Sequence, residues 1–156
     1  MRMSEFVVRE AVVPNLTAVT KEGVIREMVE SLRASGHIKP GDQEGIVKAI
    51  MKREQLGSTG IGRGVAIPHT KHESVDRLIG TVAVSHQGVP FDSLDNEPVQ
   101  IFVMLISPPD QPGLHLRALE NVTRNLRDDM FCRFLKQATT REAIWELLQE
   151  SDYPTK

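Results

Sequence analysis

The stretch Arg53-Glu54-Gln55-Leu56-Gly57-Ser58-Thr59-Gly60-Ile61-Gly62-Arg63-Gly64-Val65-Ala66-Ile67-Pro68-His69 gathers glycines, cations and a histidine in one short segment. His69 follows an apolar, β-branched run and a proline, so its backbone is fixed as the chain leaves a strand. A neutral imidazole held there can attack phosphorus through one ring nitrogen while the other keeps its proton against an acceptor. Arg53 lies seven residues after Ile46 and three after Ile50, which puts its guanidinium on the inward face at the last turn of a helix. A charge facing inward needs a partner, and the guanidinium fork matches the oxygens of a phosphoryl group. His115 precedes Leu119, Val122 and Leu126 by four, seven and eleven residues, so it continues their stripe at the first turn of a helix. Pro112-Gly113 marks that helix start, where free N–H groups favour an anion. Each of the three also has an ordinary structural reading: a satisfied histidine at the surface or core edge, or an arginine that snorkels or pairs with a carboxylate.

Other chemistries fit these residues less well. Gly57 to Gly62 has the glycine spacing of a nucleotide-binding P-loop, but Arg63 and Gly64 stand where that motif needs lysine and a hydroxyl residue. The dinucleotide fingerprint fails at Val65, and the loop follows a helix instead of a strand. His69 and His72, with Glu73, match neither zinc-protease pattern and lack an evident third ligand, so no metal or cofactor is expected. No nucleophile elbow is present for a serine hydrolase. His37 and His86 occupy polar, turn-like contexts and are expected to face solvent, and Cys132, beside Phe131 and near Phe134 and Leu135, reads as a core residue.

The elements that must position these side chains follow from spacing. An extended start is expected around Ala11-Val12-Val13. Thr20 can cap a helix bearing Val24, Ile25, Met28, Val29 and Leu32 on one face, ended by Gly36. Asp42 can cap a second, with Ile46, Val47, Ile50 and Met51 inward until Gly57. Val65-Ala66-Ile67, Ile79 to Val84 and Val99 to Ile106 read as strands, the last apolar almost throughout and so central in a sheet. Helical spacing returns from Leu114 onward, with Phe131, Phe134 and Leu135 inward after Asp128-Asp129. Thr139 with Glu142 forms a capping box before Ile144, Trp145, Leu147 and Leu148. Helices at both ends around central strands predict an α/β fold: a single domain, a layered α/β/α sandwich with a central mixed β-sheet.

Composition narrows the class. The 156 residues suffice for one core and are short for two. Nineteen basic against 21 acidic residues leave a formal charge of −2, which gives no basic footprint for nucleic acid. One cysteine excludes an intrachain disulfide framework. Ile101 to Ile106, the longest strongly apolar run, is far short of a membrane span, and no signal-peptide core precedes Arg9-Glu10. A cytoplasmic protein without direct membrane insertion is expected.

Glu54, Ile61-Gly62 and Val65-Ala66-Ile67-Pro68-His69 together resemble the signature of a known family, the fructose/mannitol-type (type 2) enzyme IIA domains of the bacterial phosphoenolpyruvate:sugar phosphotransferase system, and in particular its single-domain nitrogen-regulatory type. Phe91-Asp92-Ser93-Leu94-Asp95 with Pro98, the strand to Ile106 and the helix start at His115-Leu116 are similar to family features too, so the resemblance covers nearly the whole chain, 1–156. It implies that His69 is the phosphoryl acceptor and becomes a phosphohistidine, with Arg53 and His115 as its active-site companions. It also implies an HPr-like protein as donor, and an enzyme IIB or regulated target proteins as recipients. One departure is Thr70, where the family usually has a small residue directly after the histidine; its bulk or hydroxyl bears on partner approach. The alternative is an interaction module that keeps the fold and has lost phosphotransfer. Whether Arg53, Arg63 and Lys71 gather around His69 is a local matter that the net charge does not decide.

Overall fold

The computed structural model describes residues 1–152, so the last four residues of the expected 1–156 domain lie outside the described residues. Helix α1 (Met3–Phe6) opens the chain. The extended start expected at Ala11-Val12-Val13 is instead a 3₁₀ turn over Arg9–Ala11 between two single bridges, Val7 to Gly80 and Val13 to Ala83. The turn persists because side chains satisfy its backbone: the hydroxyls of Ser31 and Thr81 both donate to the Ala11 carbonyl.

Helix α2 (Lys21–Ala34) starts where predicted, with the Thr20 hydroxyl accepting the Gly23 N–H at 3.1 Å, and it buries Val24, Ile25, Met28, Val29 and Leu32. Helix α3 (Gln43–Gln55) buries Ile46, Val47 and Ile50. Asp42 does not cap it through its side chain, because Pro40–Asp42 forms a 3₁₀ turn that already has Asp42 in helical geometry.

Five strands follow: β1 (Gly60–Gly62), β2 (Val65–Ala66), β3 (His69–Lys71), β4 (Ile79–Val89) and β5 (Val99–Ser107). β5 is central, as its apolar run predicts, and it is buried along its length except at Gln100. β4 pairs with it antiparallel; β2 and β3 pair with it in parallel, so the sheet is mixed. The single strand expected at Val65–Ile67 is one broken strand. Val65 lies opposite Ile101 and His69 opposite Leu105 with the same register on both sides of the break. The break falls at Ile67-Pro68, where proline has no N–H to give the ladder, while the Pro68 carbonyl still accepts the Leu105 N–H at 3.0 Å. β1 was not anticipated: its glycines hide strand character, and Gly62 bends it at a φ of 96° into a hairpin with β2.

Alternation along β5 divides the interior into two layers. Phe102, Met104 and Ile106 pack with α2 and α3, whereas Ile101, Val103 and Leu105 pack with α4 (Pro112–Leu126), α5 (Asp129–Gln137) and α6 (Arg141–Asp152). This is the expected α/β/α sandwich. Asp128 caps α5 by accepting from the N–H groups of Met130 and Phe131, and Phe131, Cys132 and Leu135 are buried while Phe134 is exposed. Phe134 turns outward because nine residues of helix present one narrow face. The cap of α6 is Thr140, whose hydroxyl accepts the Ala143 N–H at 3.1 Å, one residue later than the predicted Thr139 box.

Candidate functional site

His69 begins β3 immediately after the proline break, and there its imidazole is half-buried. Its Nδ1–H donates to the Ile67 carbonyl at 2.7 Å, which leaves Nε2 as the free ring nitrogen. The Ile67 N–H donates to Thr59 O at 3.1 Å while the β5 ladder takes the Pro68 carbonyl, so the Ile67 carbonyl is left for His69. That bond fixes the tautomer. Burial holds the His69 imidazole below the ordinary histidine value; the Ile67 bond opposes that, Arg53 and Lys71 add to the lowering, and Glu54 counters it.

His115 comes from the first turn of α4 and is buried. Its Nδ1 is hydrogen-bonded to the Ser107 hydroxyl, which is also buried. Ser107 ends β5 with the same side-chain parity as Ile101, Val103 and Leu105, so the strand aims its hydroxyl at the α4 layer. Burial, then the charge that His69 would carry if protonated and that Lys71 does carry, push the His115 pKa down to about 4. The rings of His69 and His115 lie 5.4 Å apart between centroids and are tilted by 53°. Two neutral imidazoles therefore share one site.

Arg53 stands in the last turn of α3, half-buried. Its Nη1–H donates to the Gly57 carbonyl at 3.0 Å, an exposed contact that ties down the turn after the helix. The carboxylate partner considered for it is not what it takes among the described residues; it bonds a carbonyl, and its charge acts on His69. Lys71, two residues after β3 begins, is exposed and acts on both imidazoles.

Arg63 does not join this group. Its guanidinium pairs with Asp129 at 2.6 Å and donates to the carbonyls of Leu126 at 2.9 Å and Arg127 at 3.4 Å, fastening the β1–β2 hairpin to the α4–α5 turn. Thr70 alternates away from His69 along β3, and its hydroxyl donates to the Lys71 carbonyl at 3.2 Å. His86 is exposed as expected, whereas His37 is half-buried because its Nδ1 engages the Ser35 carbonyl at 3.1 Å. His72 binds Ser74 Oγ through Nδ1 at 2.7 Å and stands apart from the pair. Cys132 is buried, its thiol bonded to Leu126 O and its pKa raised by burial. Sequence reasoning missed Ser107 and Thr59. Ser107 carried a signal, since it is the polar end of an otherwise apolar central strand.

The family model of the phosphoenolpyruvate-dependent sugar phosphotransferase system, EIIA 2, matches residues 5–151. The chain belongs to this family. As an EIIA 2 domain it is 39% identical over 107 residues to a nitrogen regulatory protein of Klebsiella oxytoca, a match covering 68% of this chain and 66% of that one. It is 32% identical over 152 residues to the fructose-specific EIIABC component of Bacillus subtilis, covering 97% of this chain and 24% of that longer protein. Nitrogen regulatory protein IIA-Ntr from Neisseria meningitidis superposes with a TM-score of 0.83 at 26% identity, covering 92% of this chain and 97% of that one. These likenesses mark the EIIA 2 domain as one of the nitrogen-regulatory type and as a phosphotransfer component. No helix among the described residues is long and apolar enough to cross a membrane.

Proposed function

We propose that this EIIA 2 domain, residues 1–156, is a cytoplasmic histidine phosphocarrier in which Nε2 of His69 accepts a phosphoryl group from an HPr-like protein. The observation that carries the reading is the 2.7 Å bond from His69 Nδ1–H to Ile67 O, which leaves one nucleophilic nitrogen on a neutral, half-exposed ring.

The step is an exchange of one N–P bond for another. The Nε2 lone pair attacks phosphorus, the bond from phosphorus to the donor's ring nitrogen breaks, and its electron pair returns to the donor imidazole. The proton on Nδ1 stays in place against Ile67 O. Arg53 and Lys71 offset the charge on the equatorial phosphoryl oxygens as they pass, so the catalysis is positioning and electrostatics. Ser107 donates to Nδ1 of His115, and the Nε2–H of His115 then donates to a phosphoryl oxygen.

Transfer between proteins needs an exposed site. Leu116, next to His115, and Leu56, just beyond Arg53, are 58% and 82% exposed and offer apolar contact for a docking partner. The cavity of about 620 Å³ lined by Asn121, Arg124, Phe131, Phe134 and Leu147 lies apart from the histidine pair. The phosphoryl group then moves to an enzyme IIB, or the phosphorylation state regulates target proteins; the likeness to nitrogen regulatory proteins favours regulation. Incubation with phosphoenolpyruvate, enzyme I and an HPr-like protein, or their nitrogen-branch counterparts, tests the reading: acid-labile phosphate appears, and His69→Ala abolishes it.

A further inference from the structure

Glu54 directly follows Arg53 at the end of α3, and its side chain is 2% exposed. A carboxylate that deep needs every lone pair engaged. Lys21 Nζ donates to it at 3.1 Å, the Thr59 N–H donates at 3.2 and 3.3 Å to its two oxygens, and the Thr59 hydroxyl donates as well. Lys21 comes from the first turn of α2, with its ammonium 3.4 Å from Asp92 and 4.7 Å above the Phe91 ring. Two helices and the loop before the sheet thus converge on one carboxylate.

Thr59 leads onward to the acceptor. Its carbonyl accepts the Ile67 N–H at 3.1 Å, and the Ile67 carbonyl accepts the Nδ1–H of His69 at 2.7 Å. The path Lys21, Glu54, Thr59, Ile67, His69 is continuous, and each link is a directional hydrogen bond. A second tie fixes the same loop, with the Ser58 hydroxyl donating to Phe91 O at 2.6 Å and the Gly60 N–H donating to Ser58 Oγ at 3.0 Å.

We propose that the buried Lys21–Glu54 pair is a positioning element for His69: by holding Thr59 it sets the Ile67 carbonyl, and that carbonyl selects the Nδ1-protonated tautomer that leaves Nε2 free. The consequence for transfer rests on the reading of His69 as acceptor; the consequence for the tautomer does not. A buried ion pair adds little net stability over a well-packed apolar pair, so the directional demands of Thr59 give the carboxylate its purpose. No aliphatic residue could accept the N–H and O–H of one residue together with an ammonium.

The test uses full-length protein with ¹⁵N-labelled histidine rings, read by long-range ¹H–¹⁵N NMR above the ordinary histidine pKa, for the parent, Glu54→Gln, Lys21→Met and Thr59→Val. The parent is expected to show His69 as a single Nδ1–H tautomer. The variants are expected to populate the Nε2–H form and to accept phosphate roughly 10- to 100-fold more slowly, with the apparent affinity for the donor unchanged. His86, far from the path, serves as the internal control for intact folding. Folded variants that lose thermal stability yet keep the pure Nδ1–H tautomer and the parent rate would overturn the proposal and make the pair a fold staple. Thr59→Val removes only the hydroxyl bond and keeps the N–H and carbonyl links, so Lys21→Met decides the matter where Glu54→Gln does not fold. Normal labelling of His69→Ala would refute the acceptor reading alone, because the tautomer shift is measured without any donor.

Discussion

His69 and His115 reach one site from opposite kinds of element, a broken edge strand and a helix N-terminus, and their rings lie 5.4 Å apart. Each uses its Nδ1 for a structural bond, to Ile67 O in one case and to Ser107 Oγ in the other. In each ring Nε2 is therefore the nitrogen left outside that structural bond. Neutral rings this close avoid the repulsion that two imidazolium ions would suffer.

Arg53→Ala should slow phosphoryl acceptance by roughly 10²-fold, the usual cost of removing one positioned charge donor. Stability should change by no more than about 1 kcal/mol, since the side chain is half-exposed and its bond to Gly57 O is exposed. Stopped-flow transfer kinetics and thermal melts check the two halves. Normal transfer with a large loss of stability would make Arg53 a structural residue.

Arg63→Ala should do the reverse. Its guanidinium serves Asp129 and the carbonyls of Leu126 and Arg127, so its loss should cost about 1–2 kcal/mol by denaturant unfolding and leave the transfer rate near the parent's. The two arginines lie only ten residues apart in sequence, so the contrast tests placement and not charge.

Ser107→Ala removes the partner of a buried ring nitrogen and should destabilise the protein by about 1–3 kcal/mol. Acceptance should slow as well, and His115→Ala should slow it further without abolishing phosphate on His69. Kinetics on the two single variants and the double variant check this. If Ser107 acts through His115, the double variant is no slower than His115→Ala.

The pH dependence has a definite sign. His69 and His115 are both held below the ordinary histidine value, His115 at about 4. Acceptance should therefore begin to decline at a lower pH than the one at which a free imidazole protonates, as His69 takes up a proton. For stability, the unfolded chain binds more protons at His115 than the native chain between the ordinary histidine value and about 4. This group's contribution is complete above that window and is lost as pH falls through it, by at most ~1.4 kcal/mol per pH unit. Denaturant midpoints across the window, for the parent and His115→Asn, check the slope; the variant should flatten it.

The sandwich was legible because its strongest signals are periodic. The stripe of α2, the unbroken apolar run of β5 and the Pro112-Gly113 start of α4 each state an element and its buried side. His115 was readable as an inward position for the same reason, whereas Arg53, expected inward, is half-buried and makes an exposed bond to Gly57 O. What escaped was set by tertiary bonds without a periodic trace: the turn at Arg9–Ala11 held by two distant hydroxyls, and the strand identity of Gly60–Gly62. Glu54 was visible as a motif position, but its burial with Lys21, 33 residues earlier, could not be read from spacing. Arg63 shows the limit of sequence proximity, since a φ of 57° and a bond from its N–H to Asp95 turn it away from the histidine that follows it.

The central claim concerns one atom, Nε2 of His69. Phosphorylate ¹⁵N-histidine-labelled protein through an HPr-like donor and record the ¹⁵N–³¹P coupling of the product by NMR. The account predicts one phosphoryl group, coupled to Nε2 of His69, with Nδ1 still protonated. Coupling to Nδ1, or to a ring of any other histidine, would contradict it.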